Sequence, residues 1–356
     1  MPRKKRIPGY LLHKSSGHAR VIIDGKEHWL GPYGSEESRI RYDKLIAEYQ
    51  LKHGGSTARA TITIAQLCVA YIEHAKVYYQ KNGKQTSEVS TIQAALRVLV
   101  ARFSRLRVSE FGPLKLKDVR DQMIAKGWVR SSINQQVKRI VRVLSWGVEN
   151  EVVPPSIAEA CRQVKGLSKG RSAAREAAPV LPVPVDRILA IKSFVRPAVW
   201  GMIELQLATG MRPGEVRTLR LSNLNPAGEV WEYVPSSHKT EHHEIDRRIF
   251  VGPRGQEVVS RFPVIDESRF VFAADTEGFR CYTKDSYNRA ITRGSKKAGV
   301  DPWSPNQLRH NSATDLRAKV GIEATRTVLG HKSAGTTEIY AEQDFEAARK
   351  VMATYG

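Results

Sequence analysis

Cysteine is scarce. The 356 residues contain three, Cys68, Cys161 and Cys281, far apart and without the paired spacing of a zinc site. An odd, dispersed set also gives no disulfide framework, so ordinary reduced thiols are expected. Long apolar runs are missing too: no uninterrupted stretch reaches the roughly 20 residues that span a bilayer. The basic start Pro2-Arg3-Lys4-Lys5-Arg6 lacks the apolar run and small-residue cleavage site of a secretory signal, so a cytosolic address is expected. That start fits a nuclear-localisation tract and a flexible arm along phosphates equally. Acidic residues are outnumbered, 36 against 57 Lys and Arg, for a net charge of +21. Such an excess concentrates polyanions around the protein and points to nucleic acid as the partner, with no membrane role.

The chain is too long for one ordinary core and suits two or three domains. No internal repeat is evident. Ala19-Arg20-Val21-Ile22-Ile23 alternates, turns at Asp24-Gly25 and resumes through His28-Trp29-Leu30, which reads as a tight hairpin. Ser35 before Glu36 and Glu37 starts a helix with the stripe Ile40, Leu45, Ile46 and Tyr49. Residues 1–58 are therefore expected to be a small sheet-plus-helix module that carries basic residues to DNA.

Residues 61–160 read as a helical domain, with Ile64, Leu67, Cys68, Tyr71 and Ile72 at intervals of three or four. Its clearest helix follows Ser132, which makes a capping-box pattern with Gln135, and has the apolar face Ile133, Val137, Ile140, Val141, Leu144 and Val148. Lys138, Arg139 and Arg142 take the other side and are expected to meet the DNA backbone. Residues 161–178, including Lys165, Lys169 and Arg171, read as a basic linker that tracks phosphates. From 179 to the end, a mixed α+β domain is expected, with an apolar helix over Val199–Ala208 and a hairpin around Trp231–Val251. The whole is thus multidomain, mainly α with small β elements.

The last domain carries the chemistry. Ala208-Thr209-Gly210-Met211-Arg212-Pro213-Gly214-Glu215-Val216 joins two helical patterns through a glycine turn. Downstream stand Leu308-Arg309-His310-Asn311-Ser312-Ala313-Thr314, then Leu329-Gly330-His331, and Tyr340 nine positions after that histidine. In this order the segments resemble the tyrosine recombinase family, and the N-terminal layout is similar to integrases with an extra arm-site-binding module. The resemblance implies a core-binding role for the helical domain and a site-specific recombinase with Tyr340 as nucleophile. Its 3′-phosphotyrosyl intermediate conserves the phosphodiester energy, so that no ATP, metal or other cofactor is needed.

Breaking a phosphodiester without water needs a nucleophile, neutralisation of oxygens that gain charge, and a proton for the leaving 5′ oxygen. Arg212 and Arg309 suit the second task, since guanidinium offers paired donors and stays charged. The resemblance makes Glu215 a support for the site, His331 a phosphate contact, and Lys239, at the tip of the hairpin, the proton donor. His242 and His243 beside Lys239 belong to a short His-rich turn of the kind that is usually solvated, and no metal is expected there. One position departs from the family pattern: Asn306 stands where a histidine or lysine is usual, three residues before Arg309. An amide can donate a hydrogen bond but cannot carry a proton between groups.

The resemblance further implies double-stranded recombination sites, a homotetramer that passes through a Holliday junction, and accessory DNA-bending proteins. Apolar residues of the tail, Phe345, Val351 and Met352, suit docking on a neighbouring protomer or packing on their own domain. Two other readings stand beside recombination: a type IB topoisomerase-like relaxing enzyme, and a binding-only relative that occupies recombination sites.

Overall fold

The computed structural model describes residues 8–53, 62–81, 83–235, 247–264 and 266–330, with side chains for all of these but 50–53. The chain divides into two compact units, Met1–Ala178 and Pro179–Gly356.

The first unit opens with the antiparallel sheet β1 (Leu11–His13), β2 (His18–Ile23) and β3 (Lys26–Pro32). Asp24 and Gly25 form the β2–β3 turn with φ of 48° and 79°, the positive pair that a two-residue hairpin requires. Helix α1 (Glu36–His53) follows Ser35, whose hydroxyl accepts from the Ser38 N–H at 3.2 Å. Leu45 and Ile46 close a small core with Ala19, Val21 and Leu30. Ile40, expected in that stripe, is exposed. Ser38 and Tyr42 occupy the inner face instead: the hydroxyls of Ser38 and Tyr10 lie 2.6 Å apart, and Tyr42 donates to the Pro8 carbonyl.

A helical bundle follows: α2 (Ile64–Tyr78), the short hairpin β4 (Gln80–Lys81) and β5 (Lys84–Gln85), α3 (Ser87–Phe103), α4 (Pro113–Ala125), α5 (Arg130–Glu149) and α6 (Pro155–Arg162). Thr63 and Gln66 make a reciprocal capping box at the start of α2. Helix α5 begins at Arg130 rather than after Ser132, because a tertiary partner replaces the expected cap: the Arg130 N–H donates to the Arg175 carbonyl at 2.8 Å. Its buried face includes Val143 and Gly147, while Val141 and Val148 lie at the margin.

The stretch expected to be a basic linker is instead laid on this bundle. Cys161 and Ala174 are buried in its core, and Val164 and Leu167 pack against it. The Asn134 amide holds Leu167 from both sides, accepting its N–H at 2.8 Å and donating to its carbonyl at 3.0 Å. Apolar residues between the lysines override the linker-like composition. Lys165, Lys169 and Arg171 remain exposed on this anchored segment.

Gly147 shows how tightly the bundle is packed. A Cβ there would lie 2.3 Å from Val153 Cγ2 and 3.0 Å from Leu67 Cδ1. Gly147→Ala is expected to gain about 1 kcal/mol of helix propensity but to lose about 1–3 kcal/mol to overpacking, because Val153 is buried and β-branched and cannot swing aside. A net fall in the urea midpoint at unchanged slope is expected; a raised midpoint would contradict this packing.

The second unit contains α7 (Val185–Ala190), α8 (Pro197–Thr209), α9 (Pro213–Arg217), the antiparallel sheet β6 (Leu224–Asn225), β7 (Trp231–Tyr233) and β8 (Ile249–Val251), then α10 (Pro253–Ser260), α11 (Lys284–Lys297) and α12 (Pro305–Leu329). Strands β7 and β8 pair as the expected hairpin, with Trp231 opposite Val251 and Tyr233 opposite Ile249. Helix α8 is mostly apolar, with Glu204, Gln206 and Thr209 as its polar members, and is packed by α10 and α12. Helix α12 breaks at Gly321, where φ is +77°. The architecture is thus multidomain and mainly helical with small sheets. Among the described residues no helix is long and apolar enough to cross a membrane.

Candidate active site

The first expected site residue sits at a turn set by glycine. Helix α8 ends at Thr209, and Gly210 takes the left-handed conformation, φ +65°. A Cβ there would also lie 2.5 Å from Leu329 Cδ2 and 2.9 Å from Ser312 Oγ, so the close approach of α12 excludes any larger residue. Arg212 then caps α9, with Pro213 in the first helical position and Glu215 in the third. That spacing brings the Glu215 carboxylate back over the turn: Oε2 accepts the Arg212 backbone N–H at 2.6 Å, and Oε1 accepts Arg212 Nη1 at 2.9 Å.

A residue that sequence reasoning missed completes this arrangement. Arg247, at the foot of β8, donates Nε to Glu215 Oε1 at 3.1 Å and Nη2 to Oε2 at 3.4 Å. Both side chains of this pair are 4% exposed, whereas Arg212 is 24% exposed. Burial pushes the Glu215 carboxyl up, but the Arg247 charge and hydrogen bonds, with the Arg212 N–H and charge, outweigh it and hold the group below its ordinary range. Tyr233 of β7 fixes the helix end by donating to the Glu215 carbonyl at 3.1 Å.

Arg309 is buried in α12. Its Nη1 donates to the Gly210 carbonyl at 2.6 Å and its Nη2 to the Leu329 carbonyl at 2.7 Å. One guanidinium thus fastens the C-terminal end of α8, two residues before Arg212, to the end of α12, two residues before His331. A cation is also electrostatically favoured where helix carbonyls converge. Gln206, fully buried, is a second residue that the sequence did not single out. Its amide donates to the Met211 carbonyl at 3.0 Å and the Pro305 carbonyl at 3.4 Å, and accepts from the Tyr287 hydroxyl at 2.9 Å. Asn306, in the first turn of α12, is exposed. His310 is buried, and burial together with the neighbouring Arg309 charge lowers its pKa.

The structure thus groups Arg212, Glu215 and Arg309 through Gly210 and its contacts with α12. Lys239, His331 and Tyr340, like His242, His243 and the apolar tail residues, lie outside the described residues. On the bundle, Lys138 is exposed as expected. Arg139 and Arg142 are engaged differently from a phosphate-facing pair. Arg139 forks onto Glu88, Nε to Oε1 at 2.9 Å and Nη2 to Oε2 at 2.8 Å, and Arg142 Nη1 reaches the Tyr79 hydroxyl at 3.1 Å and Glu88 at 3.2 Å. Glu88 is 51 and 54 residues away in sequence, which hid the pairing from local patterns.

The described residues thus form an N-terminal sheet-and-helix module, a helical bundle and an α+β unit with arginines gathered at a glycine turn. Residues 198–347 match the phage integrase family. The chain is 24% identical over 284 residues to the tyrosine recombinase XerC of Vibrio cholerae, covering 77% of this chain and 85% of that protein. Over 161 residues it is 29% identical to XerC of Corynebacterium glutamicum, 39% of this chain and 44% of that one. Among solved structures, the Tn1549 transposon integrase bound to transposon right end DNA superposes with a TM-score of 0.63 at 17% identity, over 82% of this chain and 99% of that one. A lambda integrase dimer bound to a COC′ core site gives 0.60 at 14% identity, over 96% of both chains. Residues 198–347 thus match a phage integrase domain, and the chain is similar to tyrosine recombinases over most of its length.

Proposed function

We propose that the chain cleaves and rejoins double-stranded DNA at specific sites through a 3′-phosphotyrosyl bond to Tyr340, drawing its catalytic charge from arginines. In this reading Tyr340 Oη attacks the phosphorus, the bond to the 5′ oxygen breaks, and Lys239 supplies the proton which that oxygen needs. Arg212 and Arg309 neutralise the non-bridging oxygens, with Glu215 as support, and His331 donates to the same phosphate. Asn306 contributes an amide donor and no proton transfer. Rejoining is the reverse attack by a 5′ hydroxyl, so the phosphodiester energy is conserved without ATP.

The observation that carries this reading is the shared anchoring of Arg212 and Arg309 at the Gly210 turn, which fixes two cations on one short stretch of backbone. Lys138, Lys165, Lys169 and Arg171 would add backbone contacts. The lambda integrase tetramer bound to a Holliday junction, similar at a TM-score of 0.58, supports a tetramer on paired sites; in this reading the tetramer is assisted by DNA-bending proteins and works in the cytoplasm on the nucleoid.

The test is to incubate the protein, without metal, with a nicked, labelled duplex carrying its attachment site, and to run a denaturing gel. A covalent adduct formed by the wild type and lost in Tyr340→Phe is expected. Specific binding without an adduct would replace this reading with a binding-only one, made relevant by Asn306. Relaxation of supercoiled DNA irrespective of site would favour a type IB topoisomerase.

A further inference from the structure

Resting on the strand-transfer reading above, we propose that Arg247 is a positioning residue that keeps the Arg212 guanidinium electrically available to a phosphate. Glu215 carries one negative charge and is held by two arginines. Were Arg212 its sole partner, the two would form a neutral ion pair, and Arg212 would offer a phosphate little net attraction. Arg247 contributes the second positive charge, leaving the trio with a net charge of +1. The geometry divides the carboxylate between them: each oxygen accepts one donor from Arg247 and one from Arg212, and the Oε2 bond to Arg212 comes from its backbone. Among the described hydrogen bonds, only Nη1 of the Arg212 side chain is engaged.

Burial separates Arg247 from an ordinary surface arginine. Its neighbour Arg248 is more than half exposed and pairs with Glu232 across the sheet, whereas Arg247 is enclosed and lies against Gly330. A Cβ on Gly330 would come within 2.5 Å of Arg247 Nη1, and Gly330 has φ +65°. Glycine therefore admits the guanidinium beside the residue that precedes His331. A plug that merely filled this space would not need charge, since a buried ion pair is often no more stabilising than apolar residues of similar size. What charge adds here is the balance around Glu215.

The test uses the full chain and the nicked duplex, and compares Arg247→Gln, Arg247→Lys and the double variant Arg247→Gln/Glu215→Gln with the wild type. Adduct rate and duplex affinity by fluorescence anisotropy are both corrected for the folded fraction. Arg247→Gln is expected to slow adduct formation about tenfold, less than the 10²–10³ of losing a transition-state donor outright, and to weaken binding. Arg247→Lys should keep most of the rate. The double variant should recover most of what Arg247→Gln loses in both measurements, because a neutral amide no longer claims the Arg212 charge. A structural role alone would not give that recovery. A double variant no better than Arg247→Gln, or losses that vanish on correction for folding, would overturn the proposal. A wild type that binds but forms no adduct defeats the strand-transfer reading instead, and recovery in the affinity measurement still decides the role of Arg247.

Discussion

Glu215→Ala is expected to destabilise the second unit by about 3–5 kcal/mol, the usual cost of stripping the partner from a buried charge. Arg247 is enclosed with its donors aimed at the missing carboxylate, and Arg212 would face it as an uncompensated like charge. Glu215→Gln should cost less, since the amide oxygen can still accept. Acidification should reproduce part of the loss. The folded-state pKa of Glu215 lies below its ordinary 4.5, so the stabilisation is fully present above that value and is lost as pH falls through the lower, folded value. Urea unfolding of wild type and Glu215→Gln between pH 7 and pH 3 checks both statements, because the variant lacks the titrating group and should show a shallower acid decline. A Glu215→Ala protein within about 1 kcal/mol of wild type would mean that the buried trio holds little of the unit together.

Much of this arrangement was legible in the sequence because it lies within short windows. The Gly210 turn, the Arg212–Glu215 spacing and the Asp24-Gly25 hairpin are local, and each follows from φ preferences and one hydrogen-bonded span. Arg247 was not legible. A charged residue just after a polar hairpin has the composition of a solvated loop, and only the fold places a carboxylate 32 residues away against it. The same reason hid the Glu88 pair of Arg139 and the Arg175 carbonyl that starts α5. Strand β1 is three residues long, with no room for alternation to register. The segment of residues 161–178 was misread because charge and small residues dominate its composition, while its contacts depend on a few apolar side chains.

Arg309→Lys should slow adduct formation by about 10²–10³-fold, the cost of losing a preorganised donor at a reacting phosphate, even though the positive charge is kept. The argument rests on shape. The Arg309 guanidinium spans two carbonyls on different helices, those of Gly210 and Leu329, through two nitrogens of one rigid plane. An ammonium is a single point of charge and cannot reproduce that fork. With lysine, one or both carbonyls lose a charge-assisted hydrogen bond of about 1.5–3 kcal/mol, and the ends of α8 and α12 are no longer tied. Both stability and chemistry should therefore fall, and amide hydrogen exchange can separate them. Protection should drop around Gly210 and Gly330, where the fork is lost, while α5 in the first unit keeps its wild-type protection. If Arg309→Lys kept the rate yet lost that local protection, the arginine would be a fastening between helices and no part of the phosphate clamp. If protection stayed intact while the rate collapsed, its contribution would lie at the phosphate alone. The geometry leads us to expect both losses together, since the same plane that locks the Gly210 turn also brings its charge to the stretch of backbone that carries Arg212.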